Sequence, residues 1–216
     1  MARPKLPRKS TNVDMTAMCD VAFLLLTFFI LATKFKPPEA IEIVTPKSVA
    51  SKVAPSKDVV LVSVDRDGKV FFSVEDPDAK KYIANAINNT KNLGIDVNAF
   101  VNAQFIGVPF SQLKAFLALP EADRKANALP GIPVDTTKGP NEMIDWMRYA
   151  VDAYQGKKMN LLLKGDNKSK YPSIEGVINA FKKTDQLKFE MVTNPEAVPT
   201  GSELWKLAQK GQRTEE

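Results

Sequence analysis

The feature that most constrains this chain is residues 13–33, VDMTAMCDVAFLLLTFFILAT, an apolar run with a carboxylate, Asp20, set inside it. A helix of that length rises about 30 Å, the thickness of a bilayer core. A secretory signal also has a basic start, but its shorter apolar stretch ends in a small-residue cleavage site. Here the run ends in Lys34-Phe35-Lys36 and Pro37-Pro38, so a retained anchor is expected. Arg3, Lys5, Arg8 and Lys9 precede the run, against only Lys34 and Lys36 just after it. That asymmetry predicts a cytoplasmic N-terminus and an outer domain on the far side of the membrane.

An ionised Asp near mid-bilayer costs roughly 2.5–3.5 kcal/mol on insertion scales, so such a group faces protein or a water-filled cavity. Asp20 lies about 10 Å from one end of the run and about 21 Å from the other, too deep for a short side chain to snorkel. At about 100° per residue, Thr16 and Thr27 fall within roughly 40° of Asp20 and form one polar stripe with it. Two roles are open to this stripe. Asp20 can load and release a proton, with Thr16 and Thr27 in support, or it can be a hydrogen-bonded packing residue fixing a helix pair. The usual role of intramembrane acids favours the first. Asp14, at the mouth of the helix, reads as a cap or interfacial residue.

Composition removes other classes. The chain has no histidine, which excludes His-based triads and His-ligated metals, and its one cysteine, Cys19, excludes an intrachain disulfide. No cofactor or metal is expected; the coupling ion would be the proton. The net charge of +5 is partly held in the N-terminal tail, which weakens it as a nucleic-acid signal.

Beyond the anchor, residues 34–57 are rich in proline, serine and lysine around the extended patch Ile41-Glu42-Ile43-Val44, and read as a linker. Val59 to Val64 and Lys69 to Val74 flank Asp65-Arg66-Asp67-Gly68 and predict a hairpin. A calcium loop is rejected there, because position twelve falls on Val74 instead of a glutamate. Helices are predicted over Asp78 to Thr90, Phe110 to Leu119 and Glu142 to Tyr154, with loop between Pro120 and Pro140. Met159 to Leu163 is a buried-type strand. Ile174, Val177, Ile178 and Phe181 stripe a helix beginning near Pro172, and Leu187, Phe189 and Met191 alternate as a last strand. This βαβ pattern predicts an α+β domain over residues 58–193, with helices on one face of a sheet. Lys164-Gly165-Asp166 reads as a strand end entering a loop. No catalytic pairing emerges, so an enzyme is not expected. Residues 194–216 read as a tail, with a short helix over Ser202 to Lys210.

Asn12-Val13-Asp14-Met15-Thr16-Ala17-Met18-Cys19-Asp20-Val21-Ala22-Phe23-Leu24-Leu25-Leu26 resembles the entry of the ExbD/TolR family of biopolymer transport proteins into its single membrane helix. The family pattern is N-V-x-x-T-P-M-x-D-V-x-F-L-L-L. Asp20 and Thr16 match it; Ala17 stands where proline is usual, and Cys19 where an aliphatic residue is usual. Thr45-Pro46-Lys47 is similar to the family's post-membrane L-P motif, and the last third to its terminal strand, helix and strand. The segment Asn92 to Gly156 is longer than the compact family domain and reads as an insertion. The resemblance implies residues 1–12 as a basic cytoplasmic tail, an inner-membrane anchor and a periplasmic domain. It implies proton translocation through Asp20, a self-dimer inside an ExbB/TolQ-like multi-span ring, and a TonB-like or TolA-like rod driven by the proton flow. A peptidoglycan contact stays open. The rival is a membrane-tethered binding or cell-wall module in which Asp20 only packs.

Overall fold

The computed structural model describes residues 15–32, 41–49, 54–55, 57–120, 123–134, 139–197, 199–202 and 205–206. The chain divides into two units after Glu39. In the first, α1 runs unbroken over Met15–Ala32 and buries none of its side chains within the chain. Its length and apolarity suffice to cross a membrane.

The second unit opens with β1 (Lys47–Ser48), followed by β2 (Val59–Val64) and β3 (Val70–Val74). Next come α2 (Pro77–Lys91), α3 (Val97–Asn102), α4 (Phe110–Ala118), a 3-10 turn (Ala126–Ala128) and α5 (Met143–Ala153). The chain closes with β4 (Asn160–Gly165), α6 (Tyr171–Lys183), β5 (Glu190–Met191) and β6 (Asn194–Pro195). The main sheet has the order β3-β2-β4-β5, and β1 pairs with β6 apart from it. β2 and β3 form the antiparallel hairpin expected from the Asp-Gly turn, where Gly68 takes φ +85°. β4 lies parallel to β2 and β5 parallel to β4, so β4-α6-β5 is the anticipated βαβ unit.

Register puts Val74, Val60 and Leu161 in one row, and Phe72, Val62 and Leu163 in the next. These rows are buried, and Phe72 meets Trp146 of α5 on that face, with ring centroids 5.2 Å apart. The last strand is shorter than the alternation predicted. Only Phe189 packs inward, against Phe181, while Leu187 and Met191 stand exposed, because pairing with β4 extends over two residues.

The helices start and stop where local chemistry dictates. Asp76 accepts from the Asp78 amide ahead of Pro77, and Asn92 ends α2 in the left-handed region. Asp96 caps α3 in the same way, and the Lys80 ammonium donates to the Val101 and Ala103 carbonyls at its far end. α4 begins at Pro109 without a side-chain cap of its own; the Glu142 carboxylate, from the start of α5, accepts the Phe110 amide at 2.8 Å.

The segment read as an insertion belongs to the same core. Phe100, Phe110, Leu113, Phe116 and Trp146 join the cluster that contains the sheet valines. Trp146 is fully buried, stacked on Phe110 at 4.8 Å and on Phe100 at 6.2 Å. The segment also closes the β3 side of the sheet. Phe72 and Ile106 exchange backbone hydrogen bonds of 2.8 and 2.7 Å, and the Ile132 amide donates to Val70. Gly107 has to be glycine there, since a Cβ would stand 2.3 Å from the Phe71 ring. These bonds occupy the edge of β3 at Val70 and Phe72, where another strand would otherwise pair.

Residues 41–49, expected as part of a linker, are instead a strap docked on the domain. The linker reading rested on composition, which does not register that backbone amides and carbonyls find partners far along the chain. Thr45 of the Thr45-Pro46-Lys47 motif is buried, and Lys47 and Ser48 pair in parallel with Asn194 and Pro195. Of the tail helix, only Trp205 and Lys206 are described as helical; the Trp205 amide donates to the Ser202 hydroxyl, which caps it. The rest of that helix lies outside the described residues, as does Asp14.

Candidate functional site in the membrane helix and the strap

α1 carries all three residues singled out in the apolar run. Thr16, Asp20 and Thr27 share one face of an unbroken helix, though about 6 Å of rise separates Thr16 from Asp20 and about 10 Å separates Asp20 from Thr27. Thr27 therefore shares a stripe with the acid without touching it. Its hydroxyl lies 3.0 Å from both the Phe23 and the Leu24 carbonyls, so its proton serves the helix's own backbone. What Thr27 presents sideways is acceptor capacity. The acid is the only ionisable carboxylate on α1, whose other polar side chains are Thr16, Cys19 and Thr27.

A second site was not anticipated. Asp166 follows β4 directly, and its carboxylate is held from two sides. One oxygen accepts the Lys168 amide at 2.8 Å, and the other accepts the Val44 amide at 2.9 Å. The Asn167 amide donates back to the Val44 carbonyl at 2.8 Å. The amide bonds from Lys168 and Val44 hold the Asp166 carboxyl below the usual carboxylate range, helped by the nearby Arg66 and Lys168 charges against some desolvation. The carboxylate thus pins the strap to the loop after β4. Farther along, the Asn194 amide donates to the Pro46 carbonyl and the Glu196 amide to the Ser48 carbonyl. Lys47 and Glu196 add an exposed ion pair at 3.5 Å.

The docked strap forms one wall of a cleft of about 460 Å³ at the carboxyl ends of β2 and β4. Ile41, Glu42 and Val44 face Arg66, Asp67 and Lys168 across it. Asp65 is already engaged, accepting from the Asp67 and Lys69 amides, and so shapes the β2–β3 turn. The signal that could have revealed the clamp is an Asp placed immediately after a buried strand and followed by polar turn residues, an arrangement that captures backbone amides.

An apolar helix long enough to cross a membrane, carrying an acid, and a separate mixed α/β domain in the same chain define a membrane-anchored protein with one folded domain. The family model for biopolymer transport protein ExbD/TolR matches residues 7–196, and the chain belongs to that family. No curated protein and no solved structure matches it. The match runs through residues 92–156, the same stretch that shares the domain's core.

Proposed function

We propose that this chain is the proton-coupled subunit of an inner-membrane motor that energises outer-membrane transport, with Asp20 as the proton carrier. The observation that carries this reading is a lone carboxylate on an unbroken apolar helix, in a chain of the biopolymer transport family. A proton falling through the membrane potential releases roughly 2.3 kcal/mol per 100 mV, several RT, enough to bias a conformational change at each cycle. Asp20 takes up and gives off that proton; Thr16 and Thr27 shape its surroundings. Two such helices pair inside an ExbB/TolQ-like ring, and the outer domain, in the periplasm, works on a TonB-like or TolA-like rod. The N-terminus is cytoplasmic.

The test is Asp20→Asn, which keeps size and hydrogen bonding but cannot ionise. Membrane insertion, abundance and co-purification with the ring protein should persist while proton-dependent transport is lost; Asp20→Glu should retain part of it. Normal transport in the Asn variant would sink the proposal, and loss of the protein from the membrane would support packing instead.

A further inference from the structure

The parallel strands β2, β4 and β5 all begin at one end of the domain, and the segments that feed them distribute charge unevenly. Around the entries of β4 and β5 stand five exposed lysines: Lys157 and Lys158 precede β4, Lys182 and Lys183 close α6, and Lys188 leads into β5. The pairing of Leu162 with Glu190, carried back two residues, sets Lys188 beside Asn160 and about 8 Å of backbone from Lys158. Asp152 and Asp185 share this side, so lysines outnumber carboxylates there by five to two. On the β2–β3 side of the same end, Asp58, Glu75 and Asp76 outweigh Lys57. None of the five lysines forms an ion pair among the described residues. The carboxyl end of a helix attracts cations, which accounts for Lys182 and Lys183 but not for Lys157, Lys158 and Lys188, which lie outside helices. Between Lys183 and Lys188 the turn projects Leu187, 64% exposed, while Phe189 just beyond packs inward on Phe181.

We propose that these turns form a docking surface for anionic lipid, with Leu187 as its apolar tip. Lysines spread over separate turns offer point charges, not the paired planar donors that arginine brings to a single carboxylate or phosphate. Such an array suits a surface whose negative charge is spread over a plane, where attraction accumulates lysine by lysine. Leu187 supplies the second element of interfacial binding, an apolar group that enters the headgroup region between the cations. An acidic protein segment would answer the charges but gives no reason for a lone leucine projecting among them. The lipid can belong to any membrane the domain meets, so the inference depends neither on where α1 lies nor on whether Asp20 carries protons.

The experiment uses the full chain in phosphatidylcholine nanodiscs. Vesicles of phosphatidylcholine, with or without phosphatidylglycerol, are added afterwards, and the protein carried up with them in a density gradient is measured. Flotation should require phosphatidylglycerol and be released when salt is raised from about 0.05 to about 0.5 M. Lys158→Gln/Lys183→Gln/Lys188→Gln should weaken it roughly tenfold or more. The same change at Lys114, Lys125 and Lys170, exposed elsewhere on the domain, should weaken it less than about twofold. Leu187→Ser should weaken it severalfold at unchanged charge. Every variant keeps the basic residues at the N-terminus, so those cannot account for a difference between them. Flotation with phosphatidylcholine alone, or equal losses from the two triple variants, would overturn the proposal. A Leu187→Ser variant that floats like the wild type would also overturn it, and polyglutamate binding by that variant would reassign the lysines to an acidic protein segment. If the first triple variant does not fold, Lys188→Gln and Leu187→Ser, both on an exposed turn, decide alone.

Discussion

The strap and the middle segment, residues 92–156, both lie against the same domain, yet they are attached by different physics. The middle segment places Phe100, Phe110, Leu113 and Trp146 in the core and adds backbone bonds along β3. The strap offers backbone bonds, one carboxylate clamp, a buried Thr45 and the partly buried Ile41 against the core, with no large side chain fully buried. Burial of large apolar side chains is cooperative with the rest of a core, whereas a few hydrogen bonds near the surface net about 1 kcal/mol each and are less tied to it. The lesson is that chain length beyond a family's compact plan need not be a separable module. Segments separate according to what they bury.

The sharpest way to break this comparison is Trp146→Ala. Deleting a fully buried tryptophan stacked between Phe110 and Phe100 should cost about 3–5 kcal/mol and destabilise β2 together with α4 and α5. Urea unfolding followed by circular dichroism, with exchange at Val60 and Val62 as the local reporter, measures it. If β2 keeps wild-type protection while α5 frays, the middle segment is a module of its own and the contrast fails.

Acidity should move the two regions in opposite directions. Asp166 has its carboxyl lowered by the Lys168 and Val44 amides, so its contribution is complete above the ordinary carboxylate pKa and is lost as pH falls through the lowered value. Glu142 is raised, chiefly by desolvation, against the Phe110 amide bond and the attraction of Lys91, with Asp145 adding to the rise. Its contribution is present below the ordinary glutamate pKa and is lost as pH rises through the raised value. Acidification should therefore loosen Val44 and Asn167 while it relieves the start of α5. Glu142→Gln, whose amide oxygen can still accept from Phe110, should match or slightly exceed wild-type stability at neutral pH and lose that advantage in acid. Thermal melts of both proteins across the carboxylate range test the second sign, and exchange at Val44 tests the first. A strap that tightens in acid would mean that Asp166 is not its clamp.

These differences also explain how far the sequence could be read. The membrane helix, the β2–β3 hairpin and the βαβ end were legible because each writes a periodicity or a turn signal locally: an unbroken apolar run, Asp67-Gly68 between β-branched stretches, and a stripe of Ile174, Val177 and Phe181. The stripe of Thr16, Asp20 and Thr27 could likewise be drawn from helical spacing, although the Thr27 hydroxyl turns out to bond its own backbone. The strap was not legible. Its partners, Asp166 and Asn194, lie more than a hundred residues away, and a proline-containing stretch looks the same whether its amides bond water or a distant carbonyl. Where the middle segment packs was hidden for a related reason. Its helices were visible, but nothing in α5 alone tells that Trp146 fills the space over Phe72.

The smallest expected effect concerns the ion pair that closes the strap. Lys47 and Glu196 are 71% and 50% exposed at the side chain, so water screens them and both side chains give up rotamer freedom to meet. Glu196→Gln should weaken strap docking by about 0.2–1 kcal/mol, at most a fewfold rise in exchange at Asn194, and should leave Val60 unaffected. Because the Glu196 backbone amide still donates to Ser48, β1 and β6 keep their pairing in the variant. Raising salt from 0.05 to about 0.5 M should reproduce most of the change in the wild type and almost none in the variant, since it shortens the screening length severalfold. The same salt step should barely touch the Val44 amide, whose bond to Asp166 is short and part-buried. Equal salt sensitivity at Val44 and Asn194 would mean that surface charge holds the whole strap, and the carboxylate clamp would lose its privileged place.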